Sequence, residues 1–227
     1  MVNFLKFTDS EKSRVFFVSD LHHRHNPAWE IPLWKQRGYN SSEEHDAAIV
    51  SNWNNVVSPN DVVFALGDLV VGAGDKSPEA FNYLLDTLNY SDLYLMAGNH
   101  WAYYRALFNN TIGQMKIDEY YRLYVFRGDY GKKVWLIPNY YEIYVGGMHF
   151  VLSHYAILSW RDQGAGAIHL FGHSHDNLKK TPWIQENYLT GKCLDISYDS
   201  FKRPLSYSEI KQIMAAKNIL KVDHHHE

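Results

Sequence analysis

The sequence predicts an α/β fold in which one sheet packs on a second sheet. Three observations carry that expectation. Short apolar runs rich in β-branched and aromatic residues recur along the chain and stop at Gly, Asn, Asp or His; segments of helical periodicity separate the early runs; and the later runs succeed one another with little more than a turn between them.

The strands expected are VFFVSD (15–20), DVVFALGD (61–68), DLYLMAGN (92–99), KVWLIPN (133–139), YYEIYVGG (140–147), MHFVLSH (148–154) and AIHLFGH (167–173). Between the first two, SSEEHDAAIVSNWNNVV opens with a capping box, Ser41 to Glu44, and places Ile49, Trp53, Val56 and Val57 at i, i+4, i+7 and i+8, which is one helical face. SPEAFNYLLDTL (77–88) has proline in its first turn, and SYSEIKQIMAAKN (206–218) completes the helices. GGM at 146–148 is a hairpin turn signal. With no repeat or linker, residues 1–222 are expected to form one domain, and the histidine-rich end, 223–227, to be a tag remnant or a solvated tail.

Composition narrows the function classes. A net charge of −3 with scattered Lys and Arg argues against a broad nucleic-acid or membrane footprint. A single cysteine excludes an internal disulfide and any thiolate cluster. The N-terminal segment is interrupted by charge too early for a signal peptide, and no apolar run approaches the ~18 residues of a membrane span, so a cytoplasmic protein is expected. Histidine is the abundant residue type to explain, at 13 of 227 residues.

The histidines gather where strands end, and open α/β sheets hold ligands at the carboxyl ends of their strands. SDLHH gives Asp20 and His22, GD gives Asp68, GNH gives Asn99 and His100, SH gives His154, and GHSH gives His173 and His175. In an extended backbone, residues i and i+2 face one side, so Asp20 with His22, and His173 with His175, can share a site. One ion cannot use seven oxygen and nitrogen ligands, whereas two ions about 3.5 to 4 Å apart and bridged by a carboxylate can.

In this order, D-x-H, G-D, G-N-H, H and G-H-x-H resemble the calcineurin-like metallophosphoesterases over roughly residues 15 to 200, and FFVSDLHHRHN and GNH look most like their compact, single-domain bacterial and phage members. The resemblance implies a four-layer αββα sandwich with a dinuclear centre at its mouth. It implies that Asp20, His22, Asp68 and His175 hold one metal, that Asp68, Asn99, His154 and His173 hold the other, and that Asp68 is the bridge. The protein phosphatase signatures are missing: the chain reads GDLVVGAG and AGNHW, with Trp101 in place of the usual acidic residue after G-N-H.

The implied chemistry is hydrolysis of a small phosphate ester. Two divalent ions polarise phosphoryl oxygens and acidify a bridging water, which supplies the nucleophile for in-line attack. Imidazole, carboxylate and amide without thiolate suit manganese first, with iron, zinc, cobalt or nickel as alternatives, better than magnesium or calcium. His100, next to the ligand Asn99, is expected by alternation to face substrate and protonate the leaving oxygen, the alternative being a loop histidine bonded to backbone. His25, Asn26 and Trp101 are candidates for substrate contacts, and Tyr103, Tyr104 and Arg105 for a base clamp. His45–Asp46 is read as a solvated helix face. The favoured substrate is a phosphodiester of nucleotide-like size, with a phosphomonoesterase, a nucleotide pyrophosphatase and a catalytically silent metal-binding module as rivals. A nuclease is disfavoured by the lack of a basic track, and nothing in the chain specifies an oligomeric state.

Overall fold

In the computed structural model, residues 4–26, 31–71, 77–100, 116–117, 123–127 and 131–222 are described. Twelve strands among them form two sheets. β1 (Leu5–Phe7), β8 (Tyr140–Val145), β9 (Met148–Ser153), β10 (Ile168–Phe171) and β11 (Cys193–Asp195) make the smaller sheet, in the order β1-β8-β9-β10-β11. The larger sheet runs β12-β2-β3-β4-β7-β6-β5, from β2 (Val15–Val18), β3 (Val62–Ala65), β4 (Asp92–Leu95), β5 (Lys116–Ile117), β6 (Leu123–Arg127), β7 (Lys132–Leu136) and β12 (Leu205–Ser206).

β2, β3, β4 and β7 are parallel neighbours, so the β2–β3 and β3–β4 connections must cross over the sheet. α2 (Ser42–Asn54) makes the first crossover, after the short α1 (Leu33–Gln36), and α3 (Ser77–Thr87) the second. At the start of α2 the Ser41 side chain accepts from the Glu44 amide, whereas the Glu44 carboxylate reaches back to Asn40 rather than to Ser41. The expected capping box is therefore half made there. A complete one opens α5 (Tyr207–Ala215), between Ser206 and Glu209.

The period-2 alternation sorts the large sheet's side chains into two cores. Phe16, Val18, Val63, Ala65, Leu93, Leu95 and Val134 face the helices, where Ile49, Trp53, Val57, Phe81, Leu84 and Leu85 meet them. Phe17, Phe64, Tyr94 and Trp135 face the small sheet, and their rings stack in a ladder across four adjacent strands at 5.5, 4.6 and 5.5 Å between centroids. Phe150 of β9 joins Phe17 from the opposite sheet at 5.4 Å. Each such buried side chain contributes about 1.5 to 3 kcal/mol. α5 adds Tyr207, Ile210 and Met214 to the same inter-sheet core.

The outer face of the small sheet, Val151, Phe171 and Cys193, is covered by Trp160 and Tyr188. These come from segments with only short helical turns, Gln163–Ala165, Asn177–Lys180 and Ile184–Tyr188. The layers thus follow the expected order of helices, sheet, sheet and helical elements, the last being fragmentary. The β8–β9 hairpin turns at Gly146–Gly147, as expected from GGM. β1, β11 and β12, of two or three residues, and the β5–β6 pair carry too little pattern to be read from sequence.

Candidate metal centre

Strands β2, β3, β4, β9 and β10 end at Val18, Ala65, Leu95, Ser153 and Phe171, and the residues just beyond them converge. Backbone bonds continue past the strands and lock these loops together: the amides of Asp20 and His22 donate to the carbonyls of Gly67 and Asp68, and the Gly172 amide donates to that of His154. Asp20, His22, Asp68, His173 and His175 all have left-handed backbones, with φ of 57°, 53°, 52°, 63° and 49°. The expected face-sharing by strand alternation is therefore not the mechanism. The strands have already ended, and a left-handed turn aims each side chain instead. Such a conformation costs a non-glycine residue about 1 to 3 kcal/mol, and its concentration at one rim marks a site.

The two aspartates are used in the same way. One oxygen of each receives an amide from a neighbouring loop: His173 donates to Asp20 Oδ2 at 2.8 Å, and His100 donates to Asp68 Oδ1 at 2.9 Å. The other oxygen faces imidazoles. Asp20 Oδ1 lies 3.5 Å from His22 Nε2 and 3.7 Å from His175 Nε2. Asp68 Oδ2 lies 3.4 Å from His154 Nε2 and 4.0 Å from His22 Nε2. Asn99 Oδ1 closes the far side, 2.7 Å from His154 Nε2 and 2.8 Å from His173 Nδ1.

Two overlapping groups, Asp20–His22–His175 and Asp20–Asp68–His154, thus bring their ligand atoms close enough to hold an ion each. The fit goes beyond proximity. Asp20 Oδ1 and both ring nitrogens of His22 are buried without a hydrogen-bond partner, a costly arrangement unless something electropositive completes it. Burial opposes the charge on Asp20, but His22, His175 and His154 outweigh it and hold the carboxyl at about 2. Burial pushes His22 down to about 4 against the pull of Asp20. An ionised aspartate beside a neutral imidazole is the state a cation needs. For His154 and His175 burial is outweighed, by Asp68 and Asp20 in the first and by Asp199 and Asp20 in the second, so both are raised.

The glycines of G-N-H and G-H-x-H have a steric reason. A Cβ on Gly98 would fall on the Asp68 carboxylate, and one on Gly172 would fall on the Asp20 carboxylate and the Ser19 hydroxyl. The chain must approach the aspartates this closely for the His100 and His173 amides to reach them.

Outside the converging groups, His175 Nδ1 meets Asp199 Oδ2 at 2.7 Å, and Arg37 grips both oxygens of Asp199, Nε to Oδ1 at 2.9 Å and the second guanidinium nitrogen to Oδ2 at 2.6 Å. Asp195 pins the G-H-x-H loop through the Ser174 hydroxyl and the Asp176 amide. None of these three residues was visible in the sequence, since Asp199 and Arg37 stand 162 positions apart and in no motif. His45, expected on a solvated face, is fully buried 2.8 Å from Arg37, because α2 turns that face towards the loop that carries Asp20. His25 accepts from the Leu33 amide at 3.0 Å and Asn26 from the Trp34 indole at 3.4 Å, so both candidate substrate contacts are engaged with α1. His25 still sits beside the site, its ring centroid 5.7 Å from that of His22. Trp101, Tyr103, Tyr104, Arg105 and the 224–226 histidines lie outside the described residues.

Asn99 and His100 diverge. Asn99 turns to His154 and His173, whereas the exposed His100 ring stands 5.3 Å from that of His22. β4 has ended before these residues, so strand alternation does not set their directions.

Carboxylates, imidazoles and an amide gathered at the carboxyl ends of a two-sheet sandwich define a metallohydrolase type of centre. The chain belongs to the calcineurin-like phosphoesterase family, whose profile matches residues 13–190. It is 24% identical to the Gene 66 protein of Mycobacterium phage L5 over 217 residues, covering 89% of this chain and 94% of that one. Over 87 residues, 38% of this chain and 46% of the other, it is 33% identical to an uncharacterised protein of Methanocaldococcus jannaschii. A protein of unknown function from Aquifex aeolicus, solved by crystallography, shares the fold with a TM-score of 0.57 at 20% identity, covering 88% of this chain and 98% of that one. Family membership supports metal-dependent phosphoester hydrolysis, and with the two ligand groups it points to a dinuclear divalent centre. No helix among the described residues is long and apolar enough to cross a membrane.

Proposed function

We propose that this chain is a phosphodiesterase acting on small, nucleotide-like esters at a dinuclear centre. Asp20, His22, His175 and Asp68 would hold one ion, and Asp68, Asn99, His154 and His173 the other. Asp68 is the natural bridge, because its inward oxygen reaches both His22 and His154, one imidazole from each set. Asp20 also falls in both geometric groups, but its inward oxygen faces His22 and His175, two imidazoles of the same set. When bound, the ions would polarise the phosphoryl oxygens and acidify water at the site, manganese being the favoured metal.

The observation that carries the diester reading is the placement of His100. Its amide is fixed on Asp68 while its exposed ring rests beside His22, outside both ligand groups. A ring held at the rim by its own backbone can deliver a proton to a departing oxygen without leaving a metal. Diesters benefit most, since an alkoxide leaves poorly unless protonated, whereas activated monoesters pass through a looser transition state with less need of it.

The experiment compares bis-(p-nitrophenyl) phosphate with p-nitrophenyl phosphate at equal manganese loading, with an alkyl or ribosyl diester as third substrate, in the native chain and in His100→Asn. Preference for diesters, unchanged metal content and a loss of about 10² to 10⁴-fold on the alkyl ester in the variant support the reading. The loss should shrink for p-nitrophenolate, which leaves unaided. A clear monoester preference would replace the reading by its monoesterase rival, and metal lost together with activity would make His100 a ligand.

A further inference from the structure

The two metal positions do not rest on equal supports, and a buried ion pair accounts for the difference. Arg37, its side chain 1% exposed, donates to the carbonyls of Asp20 and Leu21 at 2.8 and 2.7 Å, and so holds the backbone of Asp20-Leu21-His22 from behind. The same guanidinium grips both oxygens of Asp199, and Asp199 receives the Nδ1 edge of His175. Tyr198, just before Asp199 on α4 (Tyr198–Phe201), donates its amide to the Ser19 carbonyl at 2.8 Å, which ties the short helix to the same loop. One guanidinium–carboxylate pair therefore fixes Asp20, His22 and His175 together. At the other position the partner behind His154 is neutral: its Nδ1 meets the Leu66 carbonyl at 2.8 Å.

We infer that Asp199, clamped by Arg37, is a positioning residue that makes the Asp20–His22–His175 position the tighter of the two and the first to fill. The inference rests on the dinuclear reading above. A carboxylate behind an imidazole fixes the ring's tautomer and orientation and raises the basicity of the outward nitrogen more than a backbone carbonyl does. Here the outward nitrogen is His175 Nε2, which faces Asp20 Oδ1. The bidentate fork keeps the Asp199 charge in place and confines its reach to that ring.

The test is a manganese titration of the full-length, metal-stripped chain by calorimetry, followed in parallel by electron paramagnetic resonance; the terminal histidines are common to all variants and cancel. The native chain should take up two ions in phases separated by at least about tenfold. Asp199→Asn keeps the shape and a hydrogen-bond acceptor but removes the charge, and should weaken the first phase by about 10 to 100-fold while moving the second by less than about threefold. His175→Ala should weaken the same phase, and adding Asp199→Asn to it should cost nothing more, because the effect passes through that ring. Arg37→Lys guards against a variant that fails to fold: it keeps a cation beside Asp199 without the fork, and should weaken the first phase by about 3 to 10-fold. Equal weakening of both phases, or an Asp199→Asn effect undiminished in the His175→Ala background, would overturn the inference. A native chain that binds one ion would overturn the dinuclear reading itself, and this inference with it.

Discussion

The stretch IHLFGHSH, from Ile168 to His175, holds three histidines in two environments, one inside β10 and two in the loop that follows. His169, in the strand, is fully buried and has both ring nitrogens settled by backbone: Nδ1 meets the Val151 carbonyl at 3.0 Å, and Nε2 accepts from the Ile157 amide at 3.2 Å. His173 and His175 lie four and six residues further on, in left-handed turns, with rings that meet side chains from other segments, Asn99 and Asp199. A strand interior offers an imidazole the fixed carbonyls and amides of its neighbours. A strand end offers converging side chains and an open direction. The same residue type is therefore structural in one region and a ligand candidate in the other, and what decides is what completes its nitrogens. His22 carries the contrast furthest, being the one histidine among the described residues with both nitrogens buried and unpartnered.

Substitutions on the two sides of that boundary should behave differently. Asp68→Asn removes the inward oxygen's charge between His22 and His154, and it should release both ions and lower activity by more than about 10³-fold with the fold retained. His22→Ala should weaken chiefly one ion. Metal analysis of purified variants reads both outcomes, and a selective one-ion loss in Asp68→Asn would deny it the bridging place.

Gly98→Ala comes next. The added methyl group falls on the Asp68 carboxylate at a residue with φ of 74°, so metal uptake should drop and stability fall by about 1 to 3 kcal/mol in a denaturant titration. Gly38→Ala is the matched control: φ is 84° but nothing lies within 4 Å of the added atom, so only the backbone cost of about 1 to 2 kcal/mol should appear, with metal content unchanged. Equal metal loss in the two variants would show that strain alone, and not the approach to Asp68, matters at the site.

His169 sharpens the strand side of the comparison. Burial pushes its pKa down to about 4, below the value of about 6.5 it regains on unfolding, so below pH 6.5 the unfolded chain takes up a proton that the folded chain refuses. Stability should accordingly fall as pH drops from about 6.5 towards 4, with no further loss from this group below that. His169→Gln cannot take up that proton and should flatten the decline by at most about 3 kcal/mol across the window. His23, also pushed down to about 4 by burial, retains its own share. An unchanged slope in the variant would mean that His169 is protonated in the folded protein.

The legible part of this molecule was its periodic and motif-bearing part. Phe17, Phe64, Tyr94 and Trp135 could be placed on one face by alternation, and the D-x-H, G-D, S-H and G-H-x-H stretches named every residue of the two ligand groups. Extended alternation nevertheless does not account for their convergence, because the strands end before these residues and left-handed turns at Asp20, His22, Asp68, His173 and His175 do the aiming. Such turns at non-glycine residues have no composition signature, because tertiary contacts impose them. Arg37, Asp199 and Asp195 were illegible for a related reason: their importance lies in the pairing of distant segments, and each alone reads as an ordinary surface charge. His45 misleads the other way: as a polar residue on a helix it reads as solvent-facing, whereas its partner is Arg37, whose side chain is itself buried.

The central claim is that the strand-end residues form one centre for two ions with Asp68 between them. Its most direct test is manganese reconstitution of the metal-stripped chain after removal of residues 223–227, read together by elemental analysis and electron paramagnetic resonance. The account predicts about two ions per chain with a spin-coupled spectrum at full loading, and loss of the coupling in Asp68→Asn. One ion per chain at saturation, or two that remain magnetically isolated, would contradict it.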